Sequence, residues 1–238
     1  KQMLAAADKV MVVSDGMKEE FNTIHQRDYI VISNGYDTED IPEENIVPDT
    51  KFSIAHIGTL AKSRNPEKLW KVIAEIANHD PQFKQALEIK LVGKVDINVL
   101  DMIKSFGLEN NLNLIPYLPH DKVIIEQHKS MVLLLLIHNT PKAKQILTGK
   151  IFEYLSARRP ILCIGPEDGD AATIINNTKS GATVNRNNET ELKTQILNLF
   201  TEYKNQKKFN GGKNIEQYSR RSLTEKLSTL LKEVTNQP

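Results

Sequence analysis

The sequence predicts an α/β protein built on a doubly wound parallel sheet. Three observations carry that expectation. Strand-like apolar runs alternate with amphipathic helical patterns, several of the runs are continuously apolar, and glycines close successive strands where the chain must turn. Continuous apolar runs suit strands buried on both faces of a parallel sheet. Repeated strand–helix units imply crossover connections between parallel neighbours.

Taken in order, Val10–Val13 and Tyr29–Ile32 read as strands flanking a helical Met17-Lys18-Glu19-Glu20 segment. Residues 34–51 are polar, contain Pro42 and Pro48, and read as a linker after an Asn34-Gly35 turn. Phe52–Ile57 is the next strand. The helix after it carries Leu69, Val72, Ile73 and Ile76 on one face, with Asn65 as its expected cap and Pro66 at the first position. Leu87–Val92, Leu112–Ile115, Met131–Ile137 and Pro160–Ile164 follow as strands. Between them, Val99, Met102 and Ile103, then Val123, Ile124 and Ile125, mark helices. From about Glu189 the pattern is helical, broken near Asn210-Gly211-Gly212, with Leu223, Leu227, Leu230, Leu231 and Val234 as a terminal stripe. Neither an internal repeat nor a low-complexity segment interrupts the pattern.

A chain of 238 residues is long enough for one large or two small domains. With 39% hydrophobic and 26% charged residues, its composition is that of an ordinary soluble globular protein. A net charge of +1 provides no strong field toward nucleic acid or anionic lipid, so no nucleic-acid partner is expected. The single Cys163 cannot form an internal disulfide, which fits a reducing cytoplasm. The longest apolar run, Met131 to Ile137, is far shorter than the roughly 20 residues a membrane span needs. The chain opens at Lys1 on residues that read as the end of something, with no signal segment before them. It therefore reads as part of a longer protein.

The segment richest in chemistry is Thr148-Gly149-Lys150-Ile151-Phe152-Glu153-Tyr154-Leu155, followed by Ser156-Ala157-Arg158-Arg159-Pro160-Ile161-Leu162. A glycine-containing turn opens a short helix with Lys150 in its first turn, and Pro160 ends it before an apolar strand. Free N–H groups at a helix start beside a cation form a phosphate site. A carboxylate one turn deeper, Glu153, sits where a ribose diol could reach it. A plain surface ion pair between Lys150 and Glu153 is the bland alternative, worth about 0.2–0.5 kcal/mol.

This segment resembles the donor-nucleotide motif of the GT-B glycosyltransferases of group 1, the retaining type, and the resemblance extends over most of the chain. Ala7-Asp8-Lys9-Val10 to Ser14 and Val31-Ile32-Ser33-Asn34-Gly35-Tyr36-Asp37 are similar to the family's crossing from first to second domain. His56-Ile57-Gly58-Thr59-Leu60-Ala61-Lys62-Ser63-Arg64 is similar to its first glycine turn. There the family carries an arginine right after the glycine and a lysine five residues later, both on the donor diphosphate. Thr59 stands at the first position here, Arg64 keeps the cation at the second, and Lys62 is the candidate substitute for the missing arginine. Leu91-Val92-Gly93-Lys94 supplies the next strand ending in glycine. Asn113 to Asp121 resembles the loop that holds the base, with Tyr117 where the family has glycine and a ring able to stack on a base. Many relatives space two glutamates across the next loop and helix. Glu153 matches the second, and Gln145 replaces the first.

The resemblance implies a Rossmann-like half of a GT-B enzyme, with residues 1–48 as the tail of an acceptor domain plus linker and 49–238 as the donor-nucleotide domain. It implies a nucleotide-sugar donor gripped by Gly58, Thr59, Lys62, Arg64, Gly93, Tyr117, Gln145, Gly149, Lys150 and Glu153, and a saccharide or lipid-linked acceptor held by the upstream part. No catalytic residue is assigned, and this part alone is expected to bind without turning over. No metal or cofactor is expected. Asp168-Gly169-Asp170 could suggest a metal-binding pair, but a carboxylate at the N-cap of the Ala171–Ile175 helix explains it without metal. His25, His56, His79, His120, His128 and His138 are scattered, without ligand spacing. Lys204, Lys207, Lys208 and Lys213 form a solvated basic run, with contact to the inner face of a membrane as the minor reading. A nucleotide-sugar epimerase and a non-catalytic nucleotide-binding module are the rival readings, separated by epimerisation and donor-turnover assays.

Overall fold

The computed structural model describes residues 2–43, 45–207, 209 and 211–235. Helix α1 (Gln2–Ala6), strand β1 (Val10–Val12), helix α2 (Asp15–Ile24) and strand β2 (Tyr29–Val31) come first, and β1 and β2 pair in parallel as a separate two-stranded sheet. The linker follows in irregular conformation. Six parallel strands then form the main sheet: β3 (Phe52–Ile57), β4 (Leu87–Val92), β5 (Leu112–Ile115), β6 (Val132–Leu136), β7 (Ile161–Ile164) and β8 (Gly181–Val184). Their spatial order is β5-β4-β3-β6-β7-β8. The strand order reverses between β3 and β6, and open α/β sheets bind ligands in the crevice outside such a point.

Helices cover both faces. Helices α3 (Glu67–His79), α4 (Pro81–Ala86), α5 (Ile97–Ser105) and α9 (Glu189–Lys204) pack over one face, where Phe52, Phe83 and Phe200 meet with ring centroids 4.9–6.0 Å apart. On the other face lie α6 (His120–Lys129), α7 (Lys150–Ser156) and α8 (Asp170–Thr178), packed on Ala55, Ile57, Leu133 and Leu135. Because both faces are covered, all six residues of β3 are buried, the polar Ser53 and His56 among them. Lys90, inside β4, is buried too. Its ammonium bonds to Asp49 at 2.5 Å and Glu126 at 3.0 Å, which ties the linker's end to the sheet and to α6.

Four expectations change in detail. Asn65 does not cap α3: Pro66 takes the cap position, while the Asn65 side chain accepts from Trp70 Nε1 at 2.7 Å. Strand β8 is absent from the sequence reading because Gly-Ala-Thr-Val buries only its valine. The terminal stripe belongs to α10 (Arg220–Thr235), where Leu223 and Leu230 are buried but Leu231 points outward. The break before it begins when α9 ends at Lys204, and of the residues read there and in the basic run, Lys208 and Asn210 lie outside the described residues.

Candidate functional site

At the reversal point the β3–β6 ladder is short. Ile54 pairs with Val132 and Ala55 with Leu133, and side chains take over beyond them. His56 Nδ1 donates to the Leu134 carbonyl at 3.2 Å, and the Tyr154 hydroxyl of α7 accepts from the Ile57 N–H at 3.3 Å. The strands therefore part while their backbone groups stay bonded, which opens a crevice at the end of β3. Burial first, and the Lys150 charge second, push the His56 imidazole down to about 3, so it is neutral at physiological pH.

Two glycines floor the crevice. Gly58 closes β3 with φ +118° and Gly93 closes β4 with φ +106°, a region in which side chains are strained. Gly58 N–H donates to Val92 O at 2.7 Å, Gly93 N–H donates to Ile115 O at 2.9 Å, and a Cβ on Gly93 would stand 3.2 Å from Gly58 O. Over this floor lies Lys150: its Nζ is 2.8 Å from where a Cβ on Gly58 would be. Arg64, at the end of a short 3₁₀ turn (Lys62–Arg64), adds a second cation. Burial, then repulsion from Arg64, lowers the Lys150 ammonium from 10.5 to about 8, with Glu153 pulling it the other way. Among the described residues neither Lys150 nor Arg64 has an ion-pair partner.

Glu153 lies one turn along α7 from Lys150. Gln127, fully buried on α6, donates to Glu153 Oε2 at 2.8 Å and fixes the carboxylate. With Gly149 and Ser156, Glu153 lines a cleft of about 480 Å³ bounded by the Ser33–Asp37 segment, His120 and α10. Gly149 adopts an ordinary helical backbone (φ −55°), and a Cβ there would meet nothing within 4 Å, so space is open beside it.

The structure thus brings Gly58, Gly93, Arg64 and Lys150 together, with Gly149 and Glu153 alongside. The other four expected site residues are placed differently. Thr59 follows Gly58 directly and is exposed, while Lys62, in the 3₁₀ turn after β3, faces the Asp96 carboxylate at the start of α5. Tyr117 is 85% exposed. Gln145 packs its Cβ and Cγ against Gly16 at the start of α2, as the 2.7 Å approach to a Cβ there shows. The Asp168-Gly169-Asp170 expectation is also corrected. Gly169 takes the α8 cap position, Asp168 pairs with Lys144 at 2.5 Å, and both Asp170 oxygens accept from Gly16 N–H at 3.2 Å, so that carboxylate caps α2 instead of its own helix. Sequence reasoning missed His56, Tyr154 and Gln127. Only His56, polar within a mostly apolar strand, carried a signal that could have marked it.

Residues 37–218 match the family described as glycosyl transferases group 1. No curated protein matches the sequence significantly. Among solved structures, a glycosyltransferase from Rickettsia africae is similar with a TM-score of 0.73 at 17% identity, over 97% of this chain and 64% of that one. Sucrose-phosphate synthase from Thermosynechococcus elongatus gives 0.72 at 12% identity, over 96% and 59% of the two chains. Anabaena HepE, solved in complex with UDP and glucose, gives 0.69 at 15%, over 95% and 64%. This chain spans less than two thirds of each of those proteins, and at such identities the likeness shows the fold. With three quarters of its length inside the matched region and its sheet built in the family's manner, the chain belongs to the group 1 glycosyl transferases.

Proposed function

We propose that this chain binds the diphosphate of a nucleotide-sugar donor over the Gly58 turn, in an enzyme that transfers the sugar to an acceptor. The observation that carries this reading is the pair of unpaired cations, Lys150 and Arg64, converging at the strand-order reversal on a floor of glycine backbone. Two like charges gathered with no carboxylate bonded to either cost free energy unless an anion joins them. A diphosphate supplies two or more negative charges and approaches closely where Cβ atoms are absent. Glu153, pre-oriented by Gln127, would accept from ribose hydroxyls in the adjoining cleft. As the sugar leaves, charge grows on the diphosphate, and fixed cations with backbone N–H groups stabilise it without a metal. The nucleotide and sugar held by the Anabaena relative support this class of ligand. Residues 1–48 would be the tail of the acceptor domain, with 49–238 as the donor domain.

Calorimetry with UDP, GDP and the matching nucleosides tests the reading. Lys150→Ala and Arg64→Ala should each weaken the diphosphate by about 1–3 kcal/mol and leave the nucleoside nearly unchanged. The double variant should lose less than the sum, since both groups act on one ligand. Equal weakening of nucleoside and diphosphate would move the phosphate site elsewhere.

A further inference from the structure

The loop that delivers Lys150 is gripped from both sides by segments distant in sequence. Its 3₁₀ turn, Ala143–Gln145, lies between the first turn of α2 and the cap of α8. On one side, a Cβ on Gly16 would stand 2.7 Å from Gln145 Cγ and 2.8 Å from Asp170 Oδ2. On the other, a Cβ on Gly169 would stand 2.9 Å from the Lys144 carbonyl oxygen and 3.1 Å from its Cα. Two glycines thus let the turn seat where any side chain would hold it off. Gly16 has an ordinary negative φ, so its requirement is one of space, not of backbone conformation.

The polar contacts close the grip. The first N–H groups of a helix have no partner within it. Ser14 satisfies the one at Met17, and Asp170, 154 residues away in sequence, satisfies the one at Gly16. The Asp170 carboxylate therefore sits between the positive ends of α2 and α8. Lys142 pairs with Glu20 at 2.6 Å and Lys144 with Asp168 at 2.5 Å, flanking the turn on its two sides. Ala143, Ile146 and Leu147 add apolar packing against the cluster that holds Ala171, Ile174 and Ile175 of α8.

We propose that Gly16 and Asp170 are positioning residues for the donor loop: docking of α2 onto the Ala143–Gln145 turn sets the path of the chain into Gly149 and Lys150. In this arrangement the Cβ and Cγ of Gln145 pack on the N-terminal segment. The affinity arm of the proposal rests on the diphosphate reading above, while the exchange arm below does not.

The test compares Gly16→Ala, Asp170→Ala and Asp170→Asn in the full chain. Amide hydrogen exchange should quicken about tenfold at residues 143–149 in Gly16→Ala and Asp170→Ala, while amides of β3, β4 and β6 keep their protection. UDP affinity should fall about fivefold in the same two variants with uridine affinity unchanged, and Asp170→Asn, which keeps an acceptor oxygen, should restore both readouts. A merely structural role would slow or quicken exchange throughout the sheet. Unchanged exchange at 143–149 in both alanine variants overturns the proposal, as does failure of Asp170→Asn to restore it. Should Gly16→Ala not fold, the Asp170 pair decides alone. Should the parent chain bind no diphosphate, the reading of function fails and the exchange result still judges the docking.

Discussion

Lys150 carries a charge that its surroundings penalise, and the penalty has a pH signature. Unfolded, the ammonium keeps its proton to about 10.5, whereas in the folded chain it is lost at about 8. Between those values the unfolded chain binds more protons, so the contribution of this group to stability rises with pH. The cost is fully present below 8 and relieved toward 10.5. Urea unfolding of the apo chain should therefore show a rise in stability across that window relative to Lys150→Met, in which the rise is absent. Diphosphate affinity should fall as pH climbs through 8, because the ligand prefers the protonated form, and calorimetry across the window reads that directly. A diphosphate affinity flat across the window would mean that the ammonium does not face the phosphates. At this scale the structure brings Gly58, Gly93, Arg64 and Lys150 near one another, as their places at strand ends and helix starts suggest. Where Lys62 and Tyr117 point was not legible, because nothing in their neighbours says which way a loop side chain turns.

At the scale of elements, the informative feature is the short β3–β6 ladder. Parallel neighbours that separate leave backbone groups to be satisfied by side chains, and here α7 provides one of them. The Tyr154 hydroxyl accepts from Ile57 N–H, so the helix that carries Lys150 and Glu153 is pinned to the strand that carries Gly58. Tyr154→Phe should leave that buried N–H without an acceptor and cost about 1–3 kcal/mol, measured by urea unfolding. A loss well under that range would show that water reaches the N–H instead. Strand positions were legible because apolar runs of four to six residues persist whatever their partners. Strand β8 was not legible: one face of Gly181–Val184 is partly exposed, and its place comes from pairing with β7. The cap of α3 misled for a related reason, since Asn65 finds a better partner in the Trp70 indole, five residues on, than in its own helix.

For the whole molecule, the metal-free reading rests on the partners of the two carboxylates that could suggest a metal pair: Asp168 pairs with Lys144, and Asp170 accepts from Gly16 N–H. Nucleotide binding should accordingly persist in excess EDTA. Loss of affinity on chelation, restored by Mn²⁺, would overturn the metal-free reading. No helix among the described residues is long and apolar enough to cross a membrane. The linker, the two-stranded sheet and α10 meet around one cleft: Tyr36 bridges to Ser219, and Arg220 pairs with Asp37 at 3.0 Å. The linker and α10 thus close over the α7 side of the main sheet.

What the amino-acid sequence determined by itself was the fold class and the run of β3 to β7, because each rests on local periodicity. What only the tertiary structure decided was which charges stay unpaired. Lys62, Lys144 and Lys150 are alike in composition, yet the first faces Asp96, the second pairs with Asp168, and only Lys150 stands over the Gly58 turn with no carboxylate bonded to it. Partners 24 and 34 residues away set the first two outcomes, and long-range proximity is the one thing a linear pattern does not encode.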